Sequence, residues 1–100
     1  MRRDEVVSKL KKIEPALRAR GVAALYLFGS AARDAAHARS DVDVFVDPAA
    51  DHQFGFLQFM DAYDTIQQAV GGDVEIGYST RSGLSPHVRD DVEREAVKIF

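Results

Sequence analysis

The hydrophobic positions fall into blocks whose period changes along the chain. Val6, Val7, Leu10, Ile13 and Leu17 recur at helical spacing, with Lys9, Lys11, Lys12, Arg18 and Arg20 on the opposite face and Gly21 at the end. This predicts one amphipathic helix. Residues 22–28, VAALYLF, form a continuous apolar run, the pattern of a strand buried on both faces; Gly29-Ser30 closes it in a turn, and a short helix is expected after Ser30. DVDVFVD at 41–47 alternates strictly, Val42, Val44 and Val46 against Asp41, Asp43, Phe45 and Asp47, and Pro48 ends it. Phe56, Phe59, Met60, Tyr63, Ile66 and Val70 mark a further helix, with Asp51 as candidate cap and Gly71-Gly72 as its stop. DVEIGY at 73–78 reads as a third strand. Ser85-Pro86 then opens a last helix with Val88, Val92, Ala96 and Ile99 as its stripe.

The order α-β-α-β-α-β-α predicts an α/β (α+β) fold: a small mixed sheet packed against helices on one face, since so few helices cannot cover both. The acidic face is expected to stay partly open. Nothing in residues 1–100 reads as a repeat, a low-complexity segment or a linker, so a single domain is expected over that range. A chain of this length buries roughly 65% of its unfolded surface, which leaves little room for a deep private site. Any chemistry should be shallow, or completed by a partner.

The absence of Cys excludes a disulfide framework and a thiolate zinc site. MRRDEVVSKL lacks the apolar core of a signal peptide, and the longest apolar run, 22–28, falls far short of the ~20 residues that span a bilayer. A cytoplasmic protein with no membrane partner is the reading. The net charge of -3 hides an asymmetry: residues 1–40 carry 9 Lys+Arg against 4 Asp+Glu, residues 41–100 carry 4 against 12. An exposed basic helix followed by an acidic sheet edge accounts for this, and the acidic part argues against direct nucleic-acid binding.

Asp41 and Asp43 stand two apart on one strand face, where carboxylates are costly and repel one another. Their backbone positions lie about 7 Å apart, close enough to converge on a divalent cation. Glu75 joins them if the third strand pairs beside the second in a register that shares the polar face. All-oxygen ligands favour Mg²⁺, with Mn²⁺ as the alternative, and Mg²⁺ usually enters with substrate phosphates. Gly29 and Ser30 can supply the phosphate side through backbone N–H groups and a hydroxyl, with Arg33 one turn on. His37, His52 and His87 share no metal-ligand spacing. Phe54, Phe56, Phe59 and Tyr63 read as core and partner surface rather than as a base-stacking platform, because no basic residue lies among them.

GSAARDAAHARSDVDVFV, residues 29–46, resembles the two-part signature Gly-Ser, ten residues, Asp-x-Asp of the DNA polymerase β-like nucleotidyltransferases, and more narrowly the minimal nucleotidyltransferase (MNT) group. The tail LSPHVRDDVEREAVKIF is also similar to that group, so the resemblance covers nearly the whole chain. It implies the polymerase β-like nucleotidyltransferase fold. It implies that Gly29, Ser30 and Arg33 hold the phosphates of ATP, and that Asp41, Asp43 and Glu75 are the catalytic carboxylates and ligands of two Mg²⁺ ions. Glu75 is one methylene longer than the family's usual Asp, and Asp34 stands where relatives often carry Gly.

What the resemblance implies further is transfer of a nucleoside monophosphate to a protein hydroxyl of a HEPN ribonuclease toxin, with this chain as antitoxin. The alternative is an inactive nucleotide-binding module that neutralises the toxin by steric binding. Whether the assembly is a hetero-oligomer or a homodimer is left open.

Overall fold

The computed structural model describes residues 2–33, 42–50 and 53–100. Asp34, His37, Asp41, Asp51 and His52, all named in the sequence reading, lie outside the described residues. In chain order the elements are α1 (Arg3–Lys11), α2 (Glu14–Ala19), β1 (Val22–Phe28), α3 (Gly29–Ala32), β2 (Val42–Pro48), α4 (Phe56–Val70), β3 (Ile76–Thr80), α5 (Pro86–Glu95) and β4 (Val97–Lys98). The sheet they form among the described residues is mixed, in the order β3-β2-β1-β4. β1 runs antiparallel to β2 and to β4, whereas β2 and β3 are parallel and are joined through α4. The expected α/β class with a small mixed sheet stands.

Val6 and Leu10 of α1, Leu17 of α2, and Ala62, Ile66 and Val70 of α4 bury their side chains against Leu25, Leu27, Val42, Val44 and Val46. Three helices thus cover one face of the sheet. Each fully buried Leu, Ile or Val in this layer contributes about 1.5–3 kcal/mol relative to exposure.

Four expectations are corrected. The first helix is two helices, because Pro15 has no N–H to donate into the preceding turn and its ring opposes the carbonyl four residues back. Pro15 instead occupies the first turn of α2, and the Ile13 N–H closes the end of α1 on Leu10 O at 3.2 Å. The third strand spans Ile76–Thr80 rather than 73–78. Residues 73–75 follow a turn tied by the Gln67 side chain, which donates to Gly71 O (2.7 Å) and Val74 O (2.8 Å).

The last helix stops at Glu95. Ala96 is extended, Val97–Lys98 adds to β1, and Ile99 N–H donates to Leu25 O at 2.8 Å. The open edge of β1 needs backbone partners that a longer helix would have withheld. Finally, β1 is not buried on both faces. Leu25 and Leu27 face the core, while Tyr26 and Phe28 are half-buried on the other side.

α4 begins at Gly55, whose N–H donates to Gln58 Oε1 at 3.0 Å, and ends at Gly71, where φ is 112°. Of its expected stripe, Ile66 and Val70 are buried, but Phe56 (75% exposed) and Met60 face out together with Leu57 (78%). Phe59 and Tyr63 pack on the ring of Tyr78 instead.

Candidate functional site

The chain leaves β1 through Gly29, whose φ of +73° lies in the left-handed region that favours glycine. The preceding residue, Phe28, pairs directly with Asp43 on β2. The turn into α3 therefore passes over the Asp43 side chain. A Cβ built on Gly29 would collide with Asp43 Oδ2, and one built on Gly77 would collide with Oδ1. The half-buried carboxylate of Asp43 thus occupies a slot whose two walls are glycines, one from the β1 turn and one from β3.

Gly77 enters by register. β2 and β3 pair in parallel with Val42 opposite Ile76, Asp43 opposite Gly77 and Val44 opposite Tyr78. Side chains alternate, so residues 75, 77 and 79 share the sheet face of Asp43 and Phe45. Glu75, just before β3, is exposed on that face, and its carbonyl accepts the Val42 N–H at 2.9 Å. Asp43 and Glu75 are thus on one face. Among the described residues no three acidic or histidine side chains converge as a complete ligand set. Asp41, the remaining expected ligand, lies outside the described residues.

Ser30 follows in the first turn of α3, where Ala31 and Ala32 are buried and allow close packing on β1 and β2. Arg3 Nη1 donates to Ala32 O at 3.3 Å, tying the start of α1 to the end of this turn. Arg33 Nη1 donates to Glu95 Oε2 at 2.8 Å, so the expected phosphate contact is held by the last residue of α5. Both side chains are about half exposed, which keeps the pair exchangeable.

The remainder of this sheet face is aromatic and capped by a cation. Phe45 is fully buried under Tyr26, stacked at 4.7 Å, and under Phe28 at 5.9 Å. Arg81 lies over both Tyr26 (4.9 Å) and Phe45 (5.0 Å), makes a two-point bond to Asp47 at 2.9 Å each, and approaches Glu93 of α5 at 3.6 Å. The hydrogen bond to Asp47 is the main reason its pKa is raised above the ordinary guanidinium range. On the opposite face, burial pushes the Tyr78 phenol upward, and its O–H donates to Phe59 O at 2.8 Å.

Sequence reading missed Gly77, Glu95 and the Arg81–Asp47 clamp. A glycine interrupting an alternating strand was the available signal for Gly77, since it marks a place where another group approaches closely. No comparable signal joins Arg81 to Asp47 or Glu95 to Arg33.

Chemically, the site is open and oxygen-rich. A carboxylate in a fitted slot beside a glycine turn, with a second carboxylate on the same face, suits a hard divalent cation better than zinc or copper. The slot itself is the test of fit, because it would be filled by any side chain at position 29 or 77.

Residues 10–99 match the family described as the nucleotidyltransferase domain. No curated protein matches the chain. Among solved structures, a protein described as a minimal nucleotidyltransferase superposes with a TM-score of 0.78 at 24% identity, over 97% of this chain and 95% of that one. A toxin–antitoxin solved with AMP-PNP gives 0.64 at 19% identity, over 100% of this chain and 73% of that one. A nucleotidyltransferase from Sulfolobus solfataricus gives 0.54 at 17%, over 96% and 80%. At these identities the likeness carries the fold.

Proposed function

Since the chain belongs to the family of nucleotidyltransferase domains, we propose that it moves AMP from ATP onto a protein hydroxyl of a HEPN ribonuclease toxin and so serves as that toxin's antitoxin. The observation that supports the reading is the Asp43 carboxylate lying against the Gly29 turn, the two parts to which the reading gives metal and phosphate. The toxin–antitoxin solved with AMP-PNP supports the choice of nucleotide and of partner class.

In this reading Gly29 and Ser30 hold the β and γ phosphates through backbone N–H groups and the Ser30 hydroxyl. Arg33 exchanges its bond to Glu95 for a phosphate oxygen. Asp41, Asp43 and Glu75 are the residues that would hold two Mg²⁺ ions. When bound, these ions supply charge neutralisation for the attacking and leaving oxygens. Glu75 orients the acceptor hydroxyl and receives its proton. The acceptor oxygen forms a bond to the α phosphorus while the bond from that phosphorus to the bridging oxygen breaks, and pyrophosphate leaves. The acceptor comes from the partner, since the face is open and shallow.

The test is the intact mass of a co-expressed HEPN toxin after incubation with ATP and Mg²⁺, comparing the wild type with the Asp41→Ala, Asp43→Ala double variant. A nucleotide-sized increment that vanishes in the variant is the expected result. No increment with either protein, while both still block the toxin, overturns enzymatic transfer and leaves the steric antitoxin.

A further inference from the structure

Gly77 sits inside β3, where glycine weakens a strand and has no side chain to pack. No backbone conformation calls for it there, since positive φ among the described glycines is confined to Gly21, Gly29 and Gly71. Nor does a neighbouring backbone press against it. The nearest atoms to a Cβ at 77 are Oδ1 and Cγ of Asp43, and the first backbone atom, Asp43 Cα, is 3.8 Å away. Among the described residues the carboxylate of Asp43 is the group nearest that space.

We propose that Gly77 is a positioning residue for the proposed transfer: the missing side chain lets the Asp43 carboxylate lean across from β2 toward β3, and so sets the rotamer in which it faces the metal. The inference rests on the reading of Asp43 as a metal ligand given above. Paired strands are about 4.8 Å apart, so a side chain at 77 would stand directly beside that of Asp43. With glycine at 77 and at 29, the two oxygens point at opposite walls of the slot and the rotamer is determined from both sides. Gly29 cannot test this cleanly, because its φ of +73° would strain any substitution. Gly77 can. An added methyl overlaps the Asp43 carboxylate and meets the backbone of Asp43 only at ordinary contact distance, and alanine fits a strand better than glycine.

The experiment measures Mn²⁺ affinity, by the electron paramagnetic resonance signal of the free ion, for the wild type and for Asp43→Asn, Gly77→Ala and Gly72→Ala. A Cβ at Gly72 would enter open space, so this variant is the control. Gly77→Ala is expected to bind Mn²⁺ roughly 10–100-fold more weakly than wild type. Its melting temperature should equal or exceed the wild type's, and Gly72→Ala should bind normally. Loss of binding in Asp43→Asn with Gly77→Ala within about twofold of wild type overturns the inference.

Equal affinity of wild type and Asp43→Asn removes the metal reading itself. The crystal structure of Gly77→Ala then decides the positioning claim alone: a rotated Asp43 side chain supports it and an unmoved one overturns it. Should Gly77→Ala unfold the chain, the same change is made beside Asp43→Ala. Folding restored there supports the clash, and unfolding in both backgrounds overturns it.

Discussion

The role proposed for Asp43 has two parts, charge and position, and the two are separable by substitution. Asp43→Asn keeps the shape that fills the slot between Gly29 and Gly77 but removes the charge. We expect a stable fold and a loss of nucleotidyl transfer on the order of 10²-fold or more, read by pyrophosphate release. Chelation with EDTA should abolish the same signal and excess Mg²⁺ restore it. On the other face, Tyr78 gives a pH signature. Burial raises its pKa in the folded state above the ordinary value near 10. The unfolded chain therefore ionises first, so stability is intact below pH 10 and falls as pH rises above it. Tyr78→Phe should flatten that alkaline decline in a melting series and cost about 1 kcal/mol at neutral pH for the lost bond to Phe59 O. Gly29, Ser30 and Asp43 were legible because motif spacing is a property of sequence. Gly77 was not, because its meaning depends on which residue of β2 lies opposite, and register is settled only when two strands meet.

Elements show the same division. The paired helices α1 and α2 were readable as one apolar stripe, yet Pro15 divides them by a local rule that the stripe obscured. β4 was hidden for a different reason. Ala96 and Ile99, three apart, fit the end of a helical stripe, and only the unpaired edge of β1 selects the strand over residues 97 and 98. Ile99 is 5% exposed and bonded to Leu25, so Ile99→Ala should destabilise the fold by about 2–4 kcal/mol in urea denaturation. Arg81 holds the end of β2 and the side of α5 to the sheet through Asp47 and Glu93. All three side chains are about one-third exposed, so after allowance for solvent screening Arg81→Ala should cost about 1 kcal/mol. Arg81→Lys retains the charge but loses the two-point fork and the planar stacking, and should recover only part of that loss.

At the level of the whole molecule, the apolar core and the candidate site occupy opposite faces of the sheet. α1, α2 and α4 seal one face, and the other carries Asp43, the aromatic floor and Arg81. Away from both, Phe56 and Leu57 project from the start of α4 at 75% and 78% exposure. Replacing both with Ser should change stability by no more than about 0.5 kcal/mol each, read by thermal melting. The separation has a consequence for anyone redesigning the protein. A search for greater stability guided by strand propensity would change Gly77 first, because glycine is among the poorest residues for the interior of a strand. If the positioning role proposed for Gly77 holds, such a variant would melt as late as the wild type and lose the slot for Asp43. Screens that reward folding alone would erase this site without registering a loss.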